Sequence, residues 1–205
     1  AILRCREEAA TASPAPVSAL IQLWLAGEDA AAAALDAALP RTGTRGLLAL
    51  GLVEPVPSGG VRAAVDLRPY EIDDDEDSAD LWVASDLGAH QRPGVLRHGH
   101  VLGIGQASLS LAQLTVRRPV ERALDLGTGC GIQAFHLLRH SRHVTATDIS
   151  ERALAFTRFN LLLNADVLDL DPGRLADRVS LRVGSLLEPV AGEQFDLVVS
   201  NPPFV

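Results

Sequence analysis

The sequence predicts an α/β protein: a parallel-sheet domain in its second half, preceded by a small α+β domain. Three observations carry this. From Arg122 onward, apolar strands alternate with helical segments, a rhythm that implies a parallel sheet with right-handed crossovers. One strand, RALDLG, runs directly into a turn with glycine at 127, 129 and 131. The first 70 residues instead read as Ala- and Leu-rich helices followed by two short strands around Ser58, Gly59 and Gly60.

In order, VSALIQLWLA (17–26) and EDAAAAALDAAL (28–39) predict two helices separated by Gly27 and ended by Pro40. Thr44 predicts the cap of a third through RGLLALGLV. VEPV and VRAAVDLRPY then predict a hairpin. Three helices and a hairpin resemble a winged-helix module, assigned to residues 1–70. Such a module suggests nucleic-acid contact, for which Arg41, Arg45, Arg62 and Arg68 are the candidate cations; the alternative is a packing or substrate-presenting domain.

The net charge of -8 is unevenly placed. Seven of the 26 acids fall in EIDDDEDSAD (71–80), which has no Arg, and this tract predicts a solvated linker or loop. Residues 81–205 are balanced, with 12 Arg and 12 acids, so the acidity does not define the partner. No apolar run approaches the ~18–20 residues of a membrane span, and two cysteines do not suggest an oxidised scaffold; a cytoplasmic protein without a membrane partner is expected. LWVASDL and the stretch around RPGVLRHGHVLGIG predict short strands and turns, and a helix is expected from Ala107 to Thr115. Strands RALDLG, HVTATD, VSLRVG and FDLVVS are interleaved with helices from about Gly131 and over 151–163.

In ALDLGTGCGIQAF the glycines admit positive φ and remove Cβ atoms that would block a ligand from the main chain. The spacing GxGxG differs from the dinucleotide fingerprint GxGxxG, whose third glycine would fall at Ile132, and argues against a nicotinamide cofactor. Asp125 ends the first strand and can anchor the loop. Asp148 ends the next, 19 residues after Gly129, where an acid can accept hydrogen bonds from ribose hydroxyls or cap a helix. VSLRVGSLLEP places a further loop at Gly184 and Ser185.

The closing FDLVVSNPPFV resembles the NPP(F/Y) group of class I S-adenosylmethionine-dependent amino-methyltransferases, which act on adenine or guanine in nucleic acids or on release-factor glutamine. The resemblance covers residues 81–205 and implies a Rossmann-like sheet. It also implies S-adenosylmethionine as cofactor, held by Asp125, Gly127, Thr128, Gly129, Gly131, Asp148, Ile149, Ser185, Leu186 and Ser108, with Asn201, Pro202, Pro203 and Phe204 orienting the acceptor. Asn160 matches an Asn common on its helix. Ser108 falls where release-factor enzymes carry Thr in a PRPET-like segment, which reads GIGQAS here. Many relatives carry an acid at the position of Ser185.

A delocalised nitrogen lone pair must be drawn toward tetrahedral geometry before it can attack a methyl group. The Asn201 side-chain oxygen and Pro202 carbonyl can each accept one N–H of the target, and Phe204 can stack on a flat base or amide. RNA or DNA and a protein such as a release factor remain open as partners. The alternative to an enzyme is a noncatalytic partner-binding module that keeps the fold. Only four strands follow residue 81, and the sequence stops one residue after NPPF, from which a truncated sheet and a natural protein continuing past Val205 are expected. His90, His98 and His100 are read as a surface or substrate-facing group without metal, and Cys130 as a packing residue.

Overall fold

The computed structural model describes residues 16–74, 77–89, 91–92 and 99–201. The chain divides into two compact units, Ala1–Leu67 with Asp86–Arg97, and Arg68–Ser85 with His98–Val205.

In the first unit α1 (Pro16–Leu20) continues as a π-helical turn over Ile21–Leu25 and ends at Gly27. α2 (Ala32–Ala38) and α3 (Gly43–Ala49) follow, then β1 (Val53–Pro55) antiparallel to β2 (Val61–Ala63), with Val53 opposite Ala63. Leu23, Leu35, Leu47, Val53 and Val61 form the buried interior. Gln91 donates to the Trp24 carbonyl and the Asp66 carboxylate, tying the 86–97 segment to this unit.

Three local expectations differ from the structure. Residues 28–31 are not helical, because the Ala30 N–H and C=O exchange hydrogen bonds with Val61 and so extend the β1–β2 pair. Thr44 does not cap α3. Its hydroxyl donates to the Ala32 carbonyl while its N–H donates to Asp36 Oδ1, so these bonds fasten α3 to α2. The VRAAVDLRPY stretch is also two strands, since β2 stops at Ala63 and β3 starts at Asp66.

β3 (Asp66–Asp74), which enters the second unit at Arg68, is paired to β4 (Asp77–Ser85). The acidic tract expected as a linker therefore lies in strands on both sides of residues 75–76, which are outside the described residues. Tyr70 and Ile72, and then Ala79, Leu81 and Val83, are buried, while Glu71, Asp73 and Asp80 alternate with them on the solvent side. The period of two is that of a half-buried strand, and the carboxylates merely populate its wet face.

α4 (Gln106–Leu114) precedes the sheet, and the expected strand-like structure before it is absent from residues 99–105. Then come β5 (Val120–Leu126), α5 (Ile132–Leu138), β6 (Ser141–Asp148), α6 (Glu151–Leu163), a 3-10 turn Pro172–Asp177, β7 (Val179–Val183), a 3-10 turn Glu188–Val190 and β8 (Leu197–Ser200). The sheet is wholly parallel in the order β7-β6-β5-β8. Every residue of α5 is buried, consistent with its apolar composition. No helix among the described residues is long and apolar enough to cross a membrane.

One face of α6 is polar and nevertheless buried. Asn160 Oδ1 accepts the Ala84 N–H and its Nδ2 donates to the Ala84 and Cys130 carbonyls. One turn later Asn164 does the same to Trp82, accepting its N–H and donating to its carbonyl. Trp82 and Ala84 are alternate residues of β4, so two carboxamides act as a short strand edge for it.

An Asn160→Ala substitution strands the N–H of Ala84 and the carbonyls of Ala84 and Cys130. At about 1–3 kcal/mol for a buried polar group left unpaired, a loss of about 3 kcal/mol or more in urea-unfolding stability is expected. A cost below about 1 kcal/mol would contradict the strand-edge role.

Candidate active site

The strand register brings four chain segments to one sheet edge. Leu126 is opposite both Thr147 and Ser200, and Asp148 is opposite Val183. Gly127, Ile149, Gly184 and Asn201 therefore leave the sheet side by side, although they are spread over 75 positions. The Ser200 hydroxyl donates to the Leu126 carbonyl and closes the β8 end onto β5.

The turn after β5 has Gly127, Gly129 and Gly131 at φ 77°, 58° and 93°. Its inner atoms are secured. Gly127 and Thr128 both donate to the Thr147 carbonyl, Thr157 Oγ1 donates to the Gly129 carbonyl, and Asn160 holds the Cys130 carbonyl. A Cβ on Gly131 would come within 3.1 Å of Thr157 Cγ2, and at φ 93° a side chain there would also strain the backbone. At Gly129 a Cβ would meet nothing within 4 Å. The space beside that glycine is open for a ligand.

Asp148 links this turn to the next helix. Its Oδ2 accepts the Gly129 N–H at 3.0 Å and its Oδ1 the Ser150 N–H at 2.9 Å. The cap of α6 is Ser150, whose hydroxyl accepts the Ala153 N–H. Asp125 is buried and accepts the Thr128 hydroxyl at 2.6 Å. Its Oδ1 is buried without a hydrogen-bond partner among the described residues. Burial pushes its carboxyl up to about 7, opposed by the Thr128 hydroxyl and the Ala134 N–H and reinforced by the nearby Asp148.

Ile149 is 75% exposed at the β6 end. Ser185 and Leu186 are exposed after β7, with Leu186 held at φ 48°. At the end of β8, Asn201 Nδ2 donates to Ser108 Oγ of α4 at 3.0 Å. The Ser108 carbonyl accepts from Gln133 Nε2 on α5 at 2.7 Å. Pro202, Pro203 and Phe204 lie outside the described residues.

Residues 87–205 match the family described as Methyltransferase small domain. The chain belongs to that family. Residues 6–64 match a second family, described as Domain of unknown function (DUF7059). Among curated relatives, the ribosomal protein uL3 glutamine methyltransferase of Xanthomonas campestris pv. campestris is 42% identical over 91 residues, or 43% of this chain and 26% of that protein. The release factor glutamine methyltransferase of Koribacter versatilis is 40% identical over 103 residues, or 49% of this chain and 32% of that protein. The chain thus spans about a third or less of the length of these relatives. A T. thermophilus 16S rRNA N2 G1207 methyltransferase, solved with AdoMet and guanosine, aligns with 75% of this chain and 40% of its own at 20% identity and TM-score 0.44.

Membership of this methyltransferase family carries the cofactor expected from the sequence, S-adenosylmethionine. The residues present fit it. The open side of Gly129, the half-buried Asp148 carboxylate, the exposed Ile149 and Leu186, and the incompletely bonded Asp125 Oδ1 offer bare main chain, acceptors and apolar cover at one sheet edge.

Among the residues named from sequence, Asp125, Thr128, the three glycines and Asp148 form one connected cluster. Ser108 lies apart from it in bonding, since its hydroxyl meets Asn201. Three contributors went unassigned from sequence: Thr157, Asn164 and Gln133. The signal available was polarity out of place, a glutamine in the apolar IQAFHLL and an Asn pair four residues apart. His90 and His98 are outside the described residues; among the described residues no group of three His, Cys, Asp or Glu could hold a metal. Cys130 is buried and its thiol is pushed up to about 12, chiefly by burial, so it packs without forming a thiolate at neutral pH.

Asp125 sets a pH signature in the cofactor-free chain. A carboxyl raised in the folded state stays protonated there while the unfolded chain ionises, so its contribution is fully present below about 4 and is lost as pH rises toward about 7. Melting temperatures of the native chain and Asp125→Asn should therefore diverge between pH 4 and 7, the native chain losing ground as pH rises. Parallel pH profiles would show that Asp125 is not held in this state.

Proposed function

We propose that the chain carries the cofactor-binding and acceptor-orienting part of an S-adenosylmethionine-dependent N-methyltransferase whose acceptor is a planar nitrogen. The observation that carries the reading is the tether of Asn201 Nδ2 to Ser108 at the end of the strand beside the glycine turn. With the nitrogen branch of the carboxamide occupied, the oxygen branch is the one offered to an incoming N–H.

In this reading Asp148 accepts from the ribose hydroxyls, Gly129 admits close approach, and Ile149, Ser185 and Leu186 border the adenine. Asp125 and Thr128 hold the turn, with Asp125 on the side of the ammonium group. Bound S-adenosylmethionine supplies an electrophilic methyl on a sulfonium, already an excellent leaving group. Asn201 Oδ1 takes one acceptor N–H, and Pro202 to Phe204 complete the acceptor site on the strength of the sequence pattern alone. The work of the chain is orientation and polarisation of the nitrogen, and no strong base is needed. A glutamine carboxamide in a protein is favoured by the names of the relatives; an exocyclic base amine in RNA or DNA shares the same geometry and is the other outcome of the test.

The test is transfer of tritiated methyl from S-adenosylmethionine into protein, RNA and DNA fractions, with calorimetry of cofactor binding. Asn201→Ala should lower transfer by about 10²–10³-fold, the cost of losing one polarising group, with binding nearly unchanged. Asp148→Ala should weaken binding by about 10-fold or more through loss of charged hydrogen bonds. Transfer that survives in Asn201→Ala would overturn the orientation mechanism, and absence of transfer into every fraction would favour a noncatalytic module.

A further inference from the structure

Gln133 has no place in the reading above, and its position is unusual. It stands at 5% exposure in the first turn of α5, a helix otherwise built from apolar residues and one histidine, two positions after the last glycine of the turn. A buried primary amide must be hydrogen-bonded to offset its desolvation. Its Nε2 donates to the Ser108 carbonyl at 2.7 Å, 25 positions away in the chain. The same residue, Ser108, receives Asn201 Nδ2 on its hydroxyl, 93 positions from Asn201.

The three residues therefore form a path, through both the carbonyl and the hydroxyl of Ser108, from the helix that follows the glycine turn to the end of β8. Ser108 is only half-buried, and α4 shows few buried residues, Ala112 alone among its nine. Apolar packing thus gives α4 little definition, and the Gln133 bond is a directional contact that sets the position of the Ser108 turn. A serine free to shift by one ångström would no longer meet Asn201 at hydrogen-bonding distance.

We propose that Gln133 is a positioning residue that acts through Ser108 to fix the Asn201 carboxamide, keeping its nitrogen occupied and its oxygen on the acceptor branch. The assignment rests on the N-methyltransferase reading for its purpose but on the hydrogen-bond path for its existence. It couples the turn that receives the cofactor to the group that receives the acceptor, so that both are aligned by one connection.

The experiment is nitrogen–proton NMR of the side-chain amides in the full chain, with Asn201→Ala identifying the Asn201 pair. In the native chain that pair should be dispersed and slow to exchange with solvent. Ser108→Ala should return it to the shifts and exchange of a solvated amide, and Ser108→Thr, which retains the hydroxyl, should restore it. Gln133→Met, similar in volume but without a donor, should raise its exchange rate about tenfold or more, the effect of losing roughly one net hydrogen bond of ordering. Calorimetry with S-adenosylmethionine should give a dissociation constant within about threefold of the native one in Gln133→Met, while turnover in whichever fraction accepts methyl falls about tenfold or more without a matching rise in KM. An Asn201 pair unchanged in Gln133→Met would overturn the proposal, as would an unchanged pair in Ser108→Ala should Gln133→Met fail to fold. If no fraction accepts methyl, the N-methyltransferase reading fails, and the NMR result still decides the path.

Discussion

The arrangement at the sheet edge depends on a buried polar face of one helix. Thr157 and Asn160 on α6 and Asn164 at its C-cap lie at the i, i+3 and i+7 positions, and together they hold the Gly129 and Cys130 carbonyls and the backbone of Trp82 and Ala84. Buried backbone groups must find partners, and the turn bonds its own Thr128 carbonyl but leaves those of Gly129 and Cys130 to α6. Here a neighbouring helix satisfies them with side chains. The same face replaces a missing sheet neighbour for β4, so the turn and the strand pair are anchored by one element.

From that anchor the site follows by register. Parallel strands end at a common edge, and residues directly after the ends of β5, β6, β7 and β8 become neighbours whatever their separation in the chain. The glycine turn then points its open side away from α6, because its opposite side is filled by Thr157 and its carbonyl bonds. Asp148 completes the arrangement by bonding both Gly129 and Ser150, so a single carboxylate fixes the relation between the turn and the start of α6.

The opposite end of the sheet is secured by charge. Asp196 accepts the N–H groups of Glu121 and Arg122 at the start of β5, Glu193 pairs with both Arg122 and Arg182, and Arg122 lies over the Phe195 ring at 4.7 Å. These pairs are partly exposed, and screening limits what each adds to stability. Their effect is geometric: Asp196 fixes the start of β5, and Glu193 ties Arg122 at that start to Arg182 near the end of β7. The two Arg beside Glu193 hold its carboxyl below the usual range.

Local pattern determined much of this in advance. Alternation of apolar strands with helices gave the parallel sheet, the glycine spacing gave the turn, and α6 was readable from Glu151 to Leu163 because helix periodicity is a property of neighbouring residues. The acidic strands were hidden because charge obscured a period of two carried by Tyr70, Ile72, Ala79, Leu81 and Val83. What only the tertiary structure decided is which distant polar groups meet: the Asn160 carboxamide with the Ala84 backbone, Gln133 with the Ser108 carbonyl, the Ser108 hydroxyl with Asn201. A sequence reports the period of an element and the chemistry of a residue. A hydrogen bond between residues 25 to 93 positions apart depends on the register and packing of whole elements, which no local pattern contains.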